Sequence, residues 1–297
     1  MARYRFEAME TPVHAVVDGG LDDALALCVL VALKIPLAQV IATEGSLDLM
    51  TTAGTTARVL KTLGSPVPVR LGADRGLVGP YPGGRDPFHG SDGFGGASTW
   101  LEPAAVPDEP LQPLDGLVFC TGSLTTVARG LDAQQPISEV VWMGGAVSVG
   151  GNMTAAAEFN AWMDPPAADR VLRSGTPVQM VPLDVTTRFR WSRGELDSLR
   201  SGGRVGRILA HALRFVVERD DVFIPHDAVA AVALANPELF AWRTRSERCE
   251  TAGLLTSGAT VVDRRPQGVT GSVAVAEDVD VAGVSAQIVE AIGRLES

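Results

Sequence analysis

The sequence predicts an α/β fold. It reads as a single domain over residues 1–297, with a mainly parallel, Rossmann-like central sheet flanked by helices. The active site is expected at the carboxyl ends of the strands. Three observations predict this. Short apolar runs alternate with segments of helical periodicity. The runs are apolar on both faces, as strands covered by helices must be. No internal repeat or low-complexity linker divides the chain, so one layered core is the simplest account. In such sheets ligands bind beyond the carboxyl ends of the strands, so the residues that follow each strand matter most.

The elements follow in order. Val13 to Val17 is a β-branched apolar run of strand length, and Leu21 to Leu33 has helix-like apolar spacing. Leu37 to Thr43 is a second strand. Met50 to Leu63 is a helix stopped by Gly64. Val67 to Leu71 is a third strand. Gly72 to Pro113 is crowded with Gly, Pro and Asp, and a loop of that length is expected to be functional or mobile. Regular pattern returns with a strand at Leu117 to Cys120, a helix at Ser123 to Leu131 and a strand at Glu139 to Met143. Asp164 to Arg173 is helical, with Pro165 suited to the first turn. Val178 to Val181 is a strand, and Val205 to Glu218 and Ala228 to Ala235 are helices. Thr260 to Asp263 and Val273 to Ala276 are strands, and Val281 to Leu295 is a closing helix.

Composition excludes several classes. The chain is 46% hydrophobic and 20% charged, too apolar for disorder, and its net charge is −10. An acidic protein repels a phosphate backbone, so no nucleic-acid partner is expected. Lys34 and Lys61 are the only lysines. That scarcity weighs against Schiff-base chemistry and against a phosphate-binding loop. No apolar run reaches the length of a membrane span. Met1 to Glu10 is mixed and charged, without a leader pattern. Cys28, Cys120 and Cys249 are odd in number and widely spaced, which suits neither a disulfide framework nor zinc. Cys28 and Cys120 sit in apolar runs and read as core residues. A reducing cytoplasm is the expected location.

The segment Val16-Val17-Asp18-Gly19-Gly20-Leu21-Asp22-Asp23-Ala24 follows the first strand and opens a helix. Three carboxylates within six residues repel one another, and a cation would relieve them. Calcium suits such a site, because it takes several oxygen ligands, carboxylates and carbonyls among them. Asp22 and Asp23 equally suit a plain helix N-terminus, where carboxylates complement the dipole. Haloacid-dehalogenase-like phosphatases also carry carboxylates after a first strand, but they need a late lysine, and none follows Lys61.

At these residues the chain resembles the inosine–uridine-preferring nucleoside hydrolase family, whose hallmark is D-x-D-x-G-x-D-D-A near the N-terminus. Further segments resemble it in order: Gly72-Ala73-Asp74-Arg75 with His89-Gly90 and Gly93-Phe94-Gly95-Gly96, then Thr121-Gly122-Ser123-Leu124-Thr125-Thr126-Val127-Ala128. Trp142-Met143-Gly144-Gly145, Asn152 and Ala157-Glu158-Phe159-Asn160 follow, then Asp164-Pro165 and Pro225-His226-Asp227-Ala228. The resemblance runs from about Val13 to Val281.

The resemblance implies calcium-dependent hydrolysis of the N-glycosidic bond of a ribonucleoside, giving ribose and a free base. It implies that Asp18, both oxygens of Asp23, the carbonyl of Thr125 and Asp227 hold the ion. Asp22 would be the general base on a metal-bound water, beside an oxocarbenium-like transition state. Asn152, Glu158 and Asn160 would hold the sugar, with Met143 packed nearby. If Glu158-Phe159-Asn160 is extended, Glu158 and Asn160 share one face. His226 is either the acid for the departing base or a cap and packing residue. His89 either closes over the base or is exposed. Trp162 and Trp191 read as core rather than base-stacking residues. The family is commonly dimeric or tetrameric, so a homodimer or homotetramer is implied.

The chain departs from the family pattern at three places. Val16 stands where the family has an Asp. Ser46 stands where a sugar-binding Asn is common, and its hydroxyl is too short to span the same gap. Ser123 and Thr126 replace Pro and Asn. These departures leave two alternatives open beside the leading reading. One is a divergent member acting on a modified or specialised nucleoside. The other is a non-catalytic protein that binds calcium and ribose.

Overall fold

Strand β1 (Val13–Val17) is buried along its whole length. The computed structural model describes residues 11–82, 88–200, 203–265 and 273–295; the Met1 to Glu10 stretch lies outside them. β1 pairs in parallel with β2 (Leu37–Ala42) on one side and β4 (Gly116–Cys120) on the other. With β3 (Val69–Leu71), β5 (Ile137–Met143), β6 (Val178–Val181), β7 (Phe240–Arg245) and β10 (Val273–Val279), the described residues form an eight-stranded sheet. Its order is β3-β2-β1-β4-β5-β6-β10-β7. Every pairing is parallel except that of β10 with the edge strand β7. The strand order turns outward in both directions from between β1 and β4. That is the switch point at which such sheets open a crevice.

Alternation along β1 sends its side chains to two apolar layers. Val13, Ala15 and Val17 join one core cluster, and Val16 joins the other with Ile41, Val118 and Cys120. The one polar residue of the strand, His14, is buried and accepts a hydrogen bond at Nδ1 from Gln39 Nε2 at 2.9 Å. The first layer is built on α1 (Leu21–Ala32), α8 (Gly203–Asp220), α9 (His226–Ala235) and α10 (Val281–Arg294). The second is built on α3 (Thr125–Asp132) and α5 (Pro165–Leu172). α1 packs against α9, and each is buried almost all round. Helices in that position are apolar on every face, which is why neither shows a polar stripe.

Three differences from the sequence reading have physical causes. β7 was not expected, because FAWRTR is half polar; as an edge strand it keeps one side in solvent. Thr260 to Asp263 does form a strand, β9 (Thr260–Val262), but it pairs with β8 (Glu247–Cys249) in a separate ribbon. The short helices α4 (Phe159–Met163), α6 (Leu183–Thr186) and α7 (Arg193–Leu199) have too few turns for a periodic signal. The expected Pro165 helix is present, with Asp164 Oδ1 accepting the Ala167 amide at 3.2 Å as its cap.

The described part of the Gly72 to Pro113 loop is docked against helices. Asp92 accepts the amides of Phe94, Gly96 and Ser98 at 2.9, 2.9 and 3.1 Å. Trp100 stacks on His211 of α8 with ring centroids 4.0 Å apart. All three cysteines are buried and free. Among the described residues no helix is long and apolar enough to cross a membrane.

Candidate active site

The acids converge because the elements that carry them end together. Asp18 follows β1. Gly19, at φ 84°, turns the chain so that Asp22 and Asp23 fall in the first turn of α1. Asp227 falls in the first turn of α9, beside α1. One oxygen from each of Asp22, Asp23 and Asp227 lies within 4.8 Å of the others. The Asp18 and Asp23 carboxyls are close enough to perturb each other's protonation. Space around them is tight: a Cβ on Gly45 would sit 2.5 Å from the Asp18 carboxyl, so only glycine fits there.

Burial and mutual repulsion dominate the electrostatics. Burial, then the charges of neighbouring Asp residues, holds the Asp18 and Asp227 carboxyls well above the usual carboxylate range. Burial raises Asp22 and Asp23 to about 6 each. Among the described residues no Arg or Lys pairs with any of the four. Buried acids without a cationic side chain are costly unless something else neutralises them. The donor set is hard oxygen throughout, which fits a hard divalent cation.

Both carboxylate oxygens of Asp23 have hydrogen-bond donors. Asp23 Oδ2 accepts the Gly20 amide at 2.8 Å, and Oδ1 accepts the Thr121 hydroxyl at 2.5 Å. Asp23 therefore caps its own helix and also faces the acid cluster, so the helix-cap and cation-site readings of this pair are compatible. Thr121 directly follows β4. Asn160 Nδ2 donates to the carbonyls of Thr121 and Met143, at 2.9 and 3.0 Å, and so ties the ends of β4 and β5 together. Two carbonyl acceptors fix the orientation of that amide. Its Oδ1 is buried with no partner.

The condition of an extended Glu158-Phe159-Asn160 is not met, because Phe159 and Asn160 open α4. Glu158 is the N-cap of α4: Oε1 accepts the Asn160 amide at 2.9 Å, and Oε2 accepts the Ala161 amide at 3.1 Å. Oε2 also accepts the Gly145 amide, at 2.8 Å. The first amides of a helix have no intrahelical acceptor, and a buried carboxylate supplies one. Glu158 and Asn160 nevertheless both line the cavity described below. Burial raises the Glu158 carboxyl, while its backbone donors oppose the shift.

The cavity measures about 760 Å³. Asp18, Asp22, Ser46, His89, Met143, Asn152, Glu158, Asn160, His226 and Asp227 all line it, as the sequence reading grouped them. Asn152 Oδ1 accepts the Phe159 amide at 2.9 Å. Asp23 lies just behind, fully buried. Thr125 does not join them. It is the first residue of α3 and is absent from the cavity lining; its hydroxyl donates to Asp164 Oδ2 at 2.6 Å, which leaves the expectation for its carbonyl a separate matter. Thr121, four residues earlier, is the threonine on the cavity wall. Both stand in the same matched segment, so spacing alone did not separate them.

Two histidines face this space. His89 Nδ1 accepts the Leu21 amide at 3.1 Å, one of the free amides at the start of α1, and its Nε2 lies 3.6 Å from Asp22 Oδ1. His89 is therefore docked over the acids rather than exposed. His226 Nδ1 contacts Thr186 Oγ1 at 2.8 Å. Burial lowers both rings to about 4. Sequence reasoning missed the rest of the lining, including Phe88, Met153, Phe159, Arg219, Asp220, Val222 and Ile224. The Arg219 guanidinium sits 4.5 Å from the Phe88 ring centroid and donates to the Phe88 carbonyl at 3.3 Å. Trp191 is buried in the core; Trp162 is half-buried, packed with Ala73, Tyr81 and Met163, and neither lines the cavity.

The fold and the sequence both have counterparts among known proteins. A pyrimidine-specific ribonucleoside hydrolase, RihA, of Salmonella enteritidis is 34% identical over 284 residues, which is 86% of this chain and 89% of that protein. The structure of a purine-preferring ribonucleoside hydrolase from Gardnerella vaginalis superposes with TM-score 0.83 at 25% identity, covering 96% of this chain and 99% of that one. A plant nucleoside hydrolase, PpNRh1, superposes with TM-score 0.85 at 26% identity, covering 97% and 99%. The family model described as inosine-uridine preferring nucleoside hydrolase matches residues 15–286, and the chain belongs to that family.

Proposed function

We propose that this chain is a cytoplasmic, calcium-dependent hydrolase of the N-glycosidic bond of a ribonucleoside, releasing ribose and a free base. One observation carries the reading. Asp18, Asp22 and Asp227, with Asp23 just behind them, are buried carboxylates without an Arg or Lys partner among the described residues, and the cavity they border also holds Asn160, whose buried Oδ1 lacks a donor. A divalent cation satisfies the first, and a sugar hydroxyl satisfies the second.

Asp18, Asp23 and Asp227 would hold the ion, with the backbone oxygen of Thr121, which lines the cavity, favoured over that of Thr125 as the carbonyl ligand. When bound, the cation supplies Lewis acidity that draws electron density from oxygen ligands and sugar hydroxyls. Asp22 takes a proton from the attacking water as its oxygen bonds to the anomeric carbon. The carbon–nitrogen bond breaks, and its electron pair passes to the base. The balance closes with hydroxyl on the sugar and hydrogen on the base. The neighbouring carboxylates stabilise the positive charge that develops on the sugar. Asn152, Glu158, Asn160 and Ser46 hold the ribose, Met143 packs beside it, and His89 and His226 attend Asp22 and the departing base.

A second reading, a specialised nucleoside as substrate, is favoured by Ser46 and by the apolar Val16 in the buried layer beneath the acids. The relatives' names point to different bases, so a substrate panel must assign the base. Inosine, uridine, adenosine and cytidine are tested by ribose release, before and after exhaustive chelation and with calcium returned. Release from at least one, lost on chelation and restored by calcium, is expected. Full activity without metal sinks the calcium assignment. No release from any of the four turns the reading to a specialised substrate or to binding alone. Self-assembly as a homodimer or homotetramer belongs to the same proposal and is read by light scattering.

A further inference from the structure

We propose that Thr186 is a positioning residue for His226: its hydroxyl holds the imidazole in the tautomer that presents Nε2–H to the cavity. The inference rests on the hydrolase reading only for its catalytic consequence.

Thr186 ends α6 and is fully buried. Its amide donates to the Pro182 carbonyl at 3.2 Å. Among the described residues, its hydroxyl has one hydrogen-bond partner, His226 Nδ1 at 2.8 Å. A hydroxyl carries one hydrogen, and leaving it unsatisfied in a dry site costs about 1–3 kcal/mol. If Nδ1 carried the ring hydrogen, the hydroxyl hydrogen would have no acceptor. The hydroxyl therefore donates, Nδ1 accepts, and the neutral ring keeps its hydrogen on Nε2.

His89 supports the logic in the same site. Its Nδ1 faces the Leu21 amide, which can only donate, so its hydrogen also lies on Nε2, toward Asp22 Oδ1. Each ring is anchored at Nδ1 by a protein donor and turns a hydrogen-bond donor to one shared cavity. For His226 the donor would meet the departing base, where negative charge builds as the glycosidic bond breaks. A neutral ring serves there as a hydrogen-bond donor, and the Thr186 donor at the opposite nitrogen strengthens it.

The test uses the full chain at pH 7.5, as wild type, Thr186→Val and Thr186→Ser. Nitrogen-15 NMR of the His226 ring, assigned with a His226→Gln control, is expected to show Nδ1 unprotonated and Nε2 protonated in wild type. With nucleoside substrate, kcat of Thr186→Val is expected to fall about 10–100-fold with KM little changed, and Thr186→Ser to recover most of it. Hydrolysis of p-nitrophenyl riboside, whose leaving group departs without help, is expected to stay near the wild-type rate. An Nδ1–H tautomer in wild type overturns the inference, as does an equal loss on both substrates. A wild type that cleaves neither substrate while showing the Nε2–H tautomer overturns the hydrolase reading and leaves the tautomer assignment standing.

Discussion

Thr121 Oγ1 donates to Asp23 Oδ1 across 98 positions of sequence, joining the end of β4 to the first turn of α1. The bond spans the switch point of the sheet, where the chain's two windings part. It holds one carboxylate of the cluster in place from outside the helix that carries it. Thr121→Val removes the donor while keeping the shape. Calcium affinity measured by calorimetry is expected to fall about 10–100-fold, because losing a partner that orients a ligand has that effect. Unchanged affinity would mean that α1 alone positions Asp23.

In the proposed mechanism Asp22 has a duty apart from the ion, as the general base. Asp22→Asn is expected to lower kcat for ribose release by about 10²–10⁴-fold, the range supplied by a general base. Calorimetry of the same variant is expected still to register calcium binding. Retention of most of the wild-type rate would remove Asp22 from the mechanism.

Glu158 anchors two segments at once, through the amides of Gly145, Asn160 and Ala161. Glu158→Ala leaves three amides without their acceptor and removes a helix cap. A loss of about 2–4 kcal/mol in urea unfolding is expected. Ribose release should fall as well, because Asn160 loses the turn that aims it.

Glu247 provides a pH test away from the acid cluster. Both of its carboxylate oxygens are buried without a partner. Burial, with a smaller push from Asp184, raises its carboxyl from 4.5 to about 8. A raised folded-state value means that the folded protein holds this proton more tightly than the unfolded chain does. The group's effect on stability is thus most favourable below pH 4.5 and is lost as pH rises toward 8. Glu247→Gln cannot ionise, so its Tm relative to wild type is expected to rise steadily from pH 5 to pH 8. A Tm difference that stays flat across that range would show that Glu247 is already ionised in the fold.

Much of this protein was legible locally. The turn Asp18 to Asp23 compresses a strand end, a glycine turn and a helix start into six residues, so its chemistry is readable without distant contacts. The strands β1, β2, β4, β5 and β6 were readable for a related reason: a strand buried on both faces writes that burial into every residue. The geometry of Glu158 was left conditional because a three-residue stretch looks the same in an extended segment and at a helix start. Only the positions of the unpaired amides distinguish them.

The sequence by itself determined the layered α/β architecture, the acid-rich turn and the family, because periodicity and short motifs report local burial and local chemistry. Tertiary structure decided which of two threonines donates to the acid cluster, which hydroxyl meets the His226 ring, and how Arg219 of α8 reaches Phe88. Those outcomes depend on hydrogen-bond partners 39 to 131 residues apart. Pairings at that distance are set by how sheets and helices pack, and no period along the chain encodes them.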